Sequence, residues 1–277
     1  MTRTDNSPPR LPNPFTRKLE SFVELSEADR AILERISAER RSIEAHTPLA
    51  REGDKPDGLW LILDGMACRQ KARASGRRQI LAFLLPGDLC ALDVSLLERM
   101  DHSIVTLSPC KAVHLAAETV AEILDTVPAL ACALSLSTLV DEATLREWMV
   151  NLGCQPGVKR IAHLFCELYV RQQRVGRTTG TSCALPVTQA DLADATGLSN
   201  VHVNRVLQDL RGNGRIGLRD RRLTIPDLAA LSAFAEFDAA YLRMDAEAET
   251  RAIRRIPAHC LNAMAAHGLG AQVPHSN

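Results

Sequence analysis

The chain has no excess of either charge, with 33 lysines and arginines against 33 aspartates and glutamates. Its overall balance therefore gives no reason to expect a polyanion, a membrane surface or an acidic substrate as partner. It also lacks any CxxC pair. The eight cysteines (Cys68, Cys90, Cys110, Cys132, Cys154, Cys166, Cys183 and Cys260) are scattered, which argues against a structural zinc site and leaves small buried hydrophobes in a reducing cytosol as the expectation. No uncharged apolar run reaches the ~20 residues of a helical bilayer span. The longest, between Asp125 and Asp141, is interrupted by serines. The opening residues MTRTDNSPPRLPNPF place prolines and charges where a secretory signal needs an apolar stretch. A cytoplasmic protein without membrane insertion is expected. There is no P-loop, no GxSxG, no HExxH and no pair of carboxylates in an evident acid-base arrangement, so no enzyme, cofactor or metal is expected either.

What is present is an uneven distribution. Between Leu81 and Leu145 nine acids face two bases, whereas from Arg146 to Ile225 twelve bases face six acids. The second region carries the positive excess that a phosphate backbone would use. At 277 residues the length favours two domains. Residues 1–18 read as a disordered lead-in. Leu19, Phe22, Val23, Ile32, Leu33 and Ile36 have helical spacing, with Ser26 and Asp29 placed like a helix start. From Ser42 to Leu115 brief apolar runs alternate with turn residues, and strands are expected at 59–63, 66–71, 79–85, 104–107 and 112–115, forming an antiparallel roll. A helix of about 25 residues, ~37 Å long, then starts at Pro128 and stops at Gly153. Its length exceeds what one small domain needs. Leu130, Leu134, Leu145, Trp148 and Leu152 are the expected dimer contacts along it, with a core helix packed on its own roll as the alternative. A further helix spans 157–171, 176–182 reads as a loop, and 229–242 as a last helix. The resulting division is 19–127 for the roll, 128–153 for the long helix, 154–245 for a C-terminal domain and 246–277 for a tail.

The segment from Leu185 to Ile225 carries the functional signal. Thr188 suits a helix N-cap, Leu192 and Ala193 give the first short helix an apolar face, and Gly197 stops it. Ser199 can cap a second helix whose Val203, Val206, Leu207 and Leu210 share one side. This is the helix-turn-helix pattern, in which the second helix buries one side and leaves the other free to enter the major groove. The free side holds Asn200, Val201, Asn204, Arg205 and Gln208. Arg can read guanine, Asn and Gln adenine, and Val a thymine methyl. Thr188, Gln189, Ser199 and His202 are the expected backbone contacts from the helix starts. The alternation from Arg215 to Ile225, around Arg219, Asp220 and Arg221, reads as a wing, from which Arg221 and Arg222 would reach phosphates.

Four stretches resemble the Crp-Fnr regulator family: NPFTRKLESFVELSEADR, GRRQILAFLLPGDL, LREWMVNLG and TQADLADATGLSNVHVNR. The resemblance extends from Asn13 to Leu242. It implies an α+β architecture with an N-terminal antiparallel roll like a cyclic-nucleotide-binding domain, a central dimerisation helix and a C-terminal winged helix-turn-helix. The chain departs from nucleotide-binding members of that family. Ala91 and Leu92 stand where a Gly-Glu pair holds the ribose, and His102 where an arginine holds the cyclic phosphate, with Ser103 retained. Leu92 accepts no hydrogen bond and a neutral imidazole lacks the guanidinium fork, so tight binding of cyclic AMP is not expected. No cysteine precedes Cys68, which argues against the iron-sulfur branch. Isolated His46, His102, His114 and His163 do not define a haem site, and Cys154 near Lys159 and Arg160 is at most a candidate redox thiol. In the recognition helix Val201 stands in place of the family's acidic residue, while Arg205 is kept.

The function expected is a homodimeric, sequence-specific regulator of transcription on double-stranded DNA, its activity modulated through the roll, with RNA polymerase as a further partner if it activates. The alternative is a ligand-binding regulatory module acting on a protein partner. The sequence identifies no effector.

Overall fold

A computed structural model describes residues 12–90 and 98–243. The chain opens with helix α1 (Pro14–Glu20), capped by Asn13, whose side chain accepts the Phe15 N–H. Pro14 occupies the first helical turn, where its missing N–H costs nothing. The expected lead-in is corrected here: residues 14–18 are helical, and Phe15 and Leu19 enter the core. Helix α2 (Glu27–Ile36) begins at a reciprocal capping box between Ser26 and Asp29.

Among the described residues eight strands form the roll: β1 (Arg41–Ile43), β2 (Pro48–Ala50), β3 (Leu59–Asp64), β4 (Ala67–Ala72), β5 (Arg78–Leu84), β6 (Leu89–Cys90), β7 (Ser103–Thr106) and β8 (Cys110–Leu115). They make two antiparallel sheets in the orders β1-β8-β3-β6 and β2-β7-β4-β5. All five expected strands are present. Strand β3 is buried on both faces: Leu59, Leu61 and Leu63 join the main core, while Ile62 points into a smaller cluster with Ala67, Leu84, Met100 and Ile104. That alternation follows from the pleat, which sends successive side chains to opposite faces. The short strands β1, β2 and β6 were not anticipated.

Helix α3 (Ala117–Thr126), also unanticipated, meets helix α4 (Pro128–Cys154) at a bend of 117°. Val127, the residue before a proline, is steered out of helical geometry and sets the corner. Among the described residues no single helix is long and apolar enough to cross a membrane. The first half of α4 is buried within its own chain through Leu130, Ala133, Leu134, Leu136 and Val140.

Helix α5 (Gly157–Arg174) leads into the C-terminal domain, followed by β9 (Thr178–Thr179), β10 (Ser182–Ala184), α6 (Gln189–Thr196), α7 (Asn200–Gly212), β11 (Gly217–Arg219), β12 (Arg222–Thr224) and α8 (Leu228–Ala235). The stretch expected to be a loop at 176–182 instead supplies a hairpin, so the wing is part of a sheet ordered β11-β12-β10-β9. The last expected helix is broken at Glu236, which adopts left-handed geometry and separates α8 from a short 3-10 turn, Ala239–Leu242.

A buried ionic chain joins the two halves. Asp88, just before β6, accepts from Lys18 Nζ at 2.9 Å, Arg171 Nη2 at 2.7 Å and the Leu85 N–H at 2.7 Å. Arg171 continues to the Phe83 carbonyl at 3.0 Å and to Glu167 at 3.0 Å. Glu167, fully buried, accepts from the Trp148 indole at 2.8 Å and the Tyr241 hydroxyl at 2.9 Å. Burial alone would raise the Asp88 pKa, but Lys18 and Arg171 hold it well below the usual carboxylate range. A depressed carboxylate stabilises the fold above its unfolded pKa of about 4, and that contribution is lost as the pH falls below it. Asp88→Asn is therefore expected to cost about 3 kcal/mol or more at neutral pH by leaving buried Lys18 without its counter-ion and Arg171 with Glu167 alone. Urea unfolding of both proteins between neutral pH and pH 3 should show the gap narrowing on acidification; a pH-independent gap would contradict this role.

Candidate nucleic-acid interface

The helix-turn-helix is built from local signals. Thr188 caps α6 by accepting the Asp191 N–H, while the Asp191 carboxylate takes the Thr188 N–H and hydroxyl in return. Gly197 ends α6 at φ +67, a left-handed conformation that costs a side-chain-bearing residue about 1 kcal/mol or more. Its N–H and that of Leu198 both return to the Ala193 carbonyl, which fixes the turn. Ser199 caps α7 by accepting the His202 N–H at 3.2 Å. Val203, Val206, Leu207 and Leu210 bury the inner side of α7.

The opposite side of α7 is open. Asn200, Val201, Arg205 and Gln208 are exposed and Asn204 is half-buried. Val201 is 82% exposed, an apolar side chain for which this fold provides no cover. Asn204 donates through Nδ2 to Gln189 Oε1 at 3.2 Å, so Gln189, expected at the DNA backbone, also steadies a residue expected to read bases. His202 is half-buried and leans toward the start of α5, where a Cβ added at Gly157 would meet its Nε2 at 3.0 Å. Thr188 and Ser199 remain at exposed helix starts.

At the wing tip Asp220 and Arg221 have φ +52 and +57. A two-residue hairpin turn of this kind favours glycine at its second position, yet the chain places an exposed cation there, beside exposed Arg219 and Arg222. Arg215 is instead turned onto the Phe234 ring, 4.0 Å from its centroid.

The expected dimer contacts divide. Leu130, Leu134 and Trp148 are 0%, 4% and 8% exposed, which corrects their assignment: they lie in the core of their own chain, Trp148 edge-on to Phe83 of the roll and bonded to Glu167 of α5. Leu145 and Leu152 are exposed, joined by Met149 and Val150, which the sequence reading omitted. Spacing alone could not separate the stripes because both faces of α4 are apolar.

The other candidates are inert or dispersed. Cys68, Cys90, Cys110, Cys166 and Cys183 are buried, and burial pushes the thiols of Cys68 and Cys90 up to about 12 and those of Cys166 and Cys183 up to about 11. Cys132 is half-buried and Cys154 exposed. His163 lies between Phe237 and Tyr241, far along the chain from His114, which bonds to Asp57. Among the described residues no group of three or more His, Cys, Asp or Glu could hold a metal. A shallow cleft between β5, α4 and α5 is lined by Lys18, Arg69, Asp88, Asp141 and Arg171, which pair with one another. Ala91, Leu92, Cys260 and the expected tail at 246–277 lie outside the described residues.

Known proteins share both halves of this arrangement. Residues 40–127 match the cyclic nucleotide-binding domain and residues 159–234 the Crp-like helix-turn-helix domain. The nitrogen fixation regulation protein FixK of Azorhizobium caulinodans is 28% identical over 176 residues, covering 63% of this chain and 70% of that protein. The transcriptional activator protein FnrL of Cereibacter sphaeroides is 26% identical over 195 residues, covering 69% and 78%. The structure of FixK2 from Bradyrhizobium japonicum superposes with a TM-score of 0.61 at 21% identity, covering 70% of this chain and 95% of that one. With a roll at one end, an open recognition helix at the other and regulators matching across both, the chain belongs to the Crp-Fnr family of DNA-binding transcription regulators.

Proposed function

We propose that the protein acts as a homodimer on a pseudo-palindromic site, setting its two α7 helices into successive major grooves about 34 Å apart. The observation that carries this reading is the open side of α7, polar and cationic around an unburied Val201, above a fully buried inner side. Arg205 offers a bidentate contact to guanine, Val201 a surface for a thymine methyl, and Asn200 and Gln208 amides for adenine. Asn204, steadied by Gln189, keeps its carbonyl oxygen and a second amide hydrogen for a base edge. Thr188, Gln189, Ser199 and His202 bring helix starts, with their free N–H groups, toward phosphates. Arg221 and Arg222 do the same from the wing.

The partner copy covers Leu145, Met149 and Leu152, spaced as i, i+4 and i+7 on one side of α4. The roll is a regulatory platform that does not hold cyclic AMP in the manner of nucleotide-binding relatives. Leu92 offers no carboxylate, His102 Nδ1 lies 2.6 Å from its neighbour Asp101, and the Ser103 hydroxyl already accepts the Glu52 N–H at 2.9 Å. An effector would act by binding one arrangement of the two halves better than another. FnrL is named a transcriptional activator; the same role here would make RNA polymerase a partner, with the cytoplasm as the place of action.

Mobility-shift selection from random duplex DNA tests the reading, since a folded protein that enriches no sequence would overturn it. Arg205→Ala should lower specific affinity by about 1–3 kcal/mol and relax preference at one base pair; equal losses on specific and random duplexes would remove its reading role. Arg221→Gly should leave stability unchanged or raise it by up to about 1 kcal/mol while weakening all duplexes alike and reducing the salt slope by about 1. Met149→Glu should convert dimer to monomer in sedimentation and uncouple the half-sites.

A further inference from the structure

Arg78 is the first residue of β5, yet its side chain leaves the roll. Its guanidinium reaches α6 of the helix-turn-helix at two points, Nε to Asp194 Oδ2 at 2.8 Å and Nη2 to Asp191 Oδ1 at 2.6 Å. Nη1 is held from behind by Gln70 Oε1 at 3.2 Å, on the neighbouring strand β4. The next residue, Gln79, adds a bond from Nε2 to the Ala195 carbonyl at 3.4 Å. The clamp is half-shielded: the Arg78 side chain is 28% exposed, Asp194 31% and Asp191 6%. Asp191 does two things with one carboxylate, since Oδ2 closes the start of α6 through Thr188 while Oδ1 takes the arginine. Burial would raise its pKa, but the Thr188 and Arg78 bonds hold it below the usual range. The carboxylate is thus charged whenever the clamp can form.

This contact differs in kind from the buried Asp88 chain. Arg171 anchors α5, which carries the C-terminal domain as a whole. Arg78 instead grips α6 itself, and α6 is fixed to α7 by the Gly197 turn, so any rotation at the clamp is passed to the reading face. Resting on the homodimer reading above, we propose that Arg78 is a positioning residue for DNA recognition: by clamping Asp191 and Asp194 it fixes the angle at which α7 leaves the roll, and thereby the half-site spacing the dimer accepts. Arg78 touches no base. Its fork suits two carboxylates in fixed geometry, which a lysine cannot reproduce.

The distinguishing readout is spacing, because adding or removing one base pair moves and rotates a half-site by about 3.4 Å and 35°. Full-length protein is titrated against its selected duplex and against versions with one base pair added or removed between half-sites. Wild type should discriminate among them. Arg78→Gln should reduce that discrimination by about fivefold or more, while preference for bases within a half-site stays unchanged. Asp194→Asn, which leaves the α6 cap intact, should give a smaller loss of the same kind and serves if Arg78→Gln folds poorly. The exchange Arg78→Asp with Asp194→Arg should restore part of the discrimination. Unaltered spacing preference in well-folded Arg78→Gln or Asp194→Asn overturns the proposal, as does a loss confined to base preference. If wild type binds sequence-specifically but accepts every spacing, the homodimer reading fails, and this inference with it.

Discussion

The architecture depends on two acids that the chain has taken out of water. Asp88 and Glu167 take the two terminal nitrogens of the Arg171 guanidinium, and from them bonds run to α1, the roll, α4 and the 3-10 turn at Ala239–Leu242. Ions buried in this way gain little net stability over an apolar substitute, because desolvation offsets most of the attraction. What they supply is direction. Apolar contacts tolerate sliding, whereas a carboxylate between two fixed cations has one arrangement that satisfies it. The relative placement of roll and C-terminal domain is thereby defined at the level of individual atoms.

From that fixed centre, constraint loosens toward the DNA-facing end. The Arg171 side chain is 16% exposed, that of Arg78 28%, and the side of α7 proposed to read DNA is open. The gradient suits a regulator, since the open side proposed to meet DNA is carried on a packed, ion-paired core. It also explains Arg221. A residue with a side chain at the second position of a tight hairpin turn is mildly strained, and strain is tolerable at a wing tip whose two short strands pair with each other and, through β12, with β10.

The helix-turn-helix was legible because its determinants are local. Thr188, Gly197 and Ser199 act within a few residues of themselves, and the period of Val203, Val206, Leu207 and Leu210 declares the buried side without reference to anything else. The five strands of the roll were legible for the same reason. The errors lie where a residue's role is set at a distance. Pro14 looks like a breaker until it is seen at a helix start. Leu130 and Trp148 carry the same apolar signal as Leu145 and Leu152, and only the packing of the rest of the chain decides which pair is already covered. Arg78 and Asp191 are separated by more than a hundred residues, and no spacing rule connects them. The strands β9 and β10 are too short to show a period and exist because β12 offers β10 an edge and β10 in turn offers one to β9.

The exposure of Leu145, Met149 and Leu152 on a helix otherwise packed within its own chain has a consequence for gene control. Each chain completes its own core without help, so the pairing proposed for α4 would rest on only a short apolar seam. Chains joined by such a seam separate on dilution, and below the dissociation threshold the abundance of the paired form rises with the square of the number of copies in the cell. Promoter occupancy would then respond to synthesis and turnover of the regulator more steeply than simple saturation allows, giving a graded supply of protein a sharper transcriptional outcome.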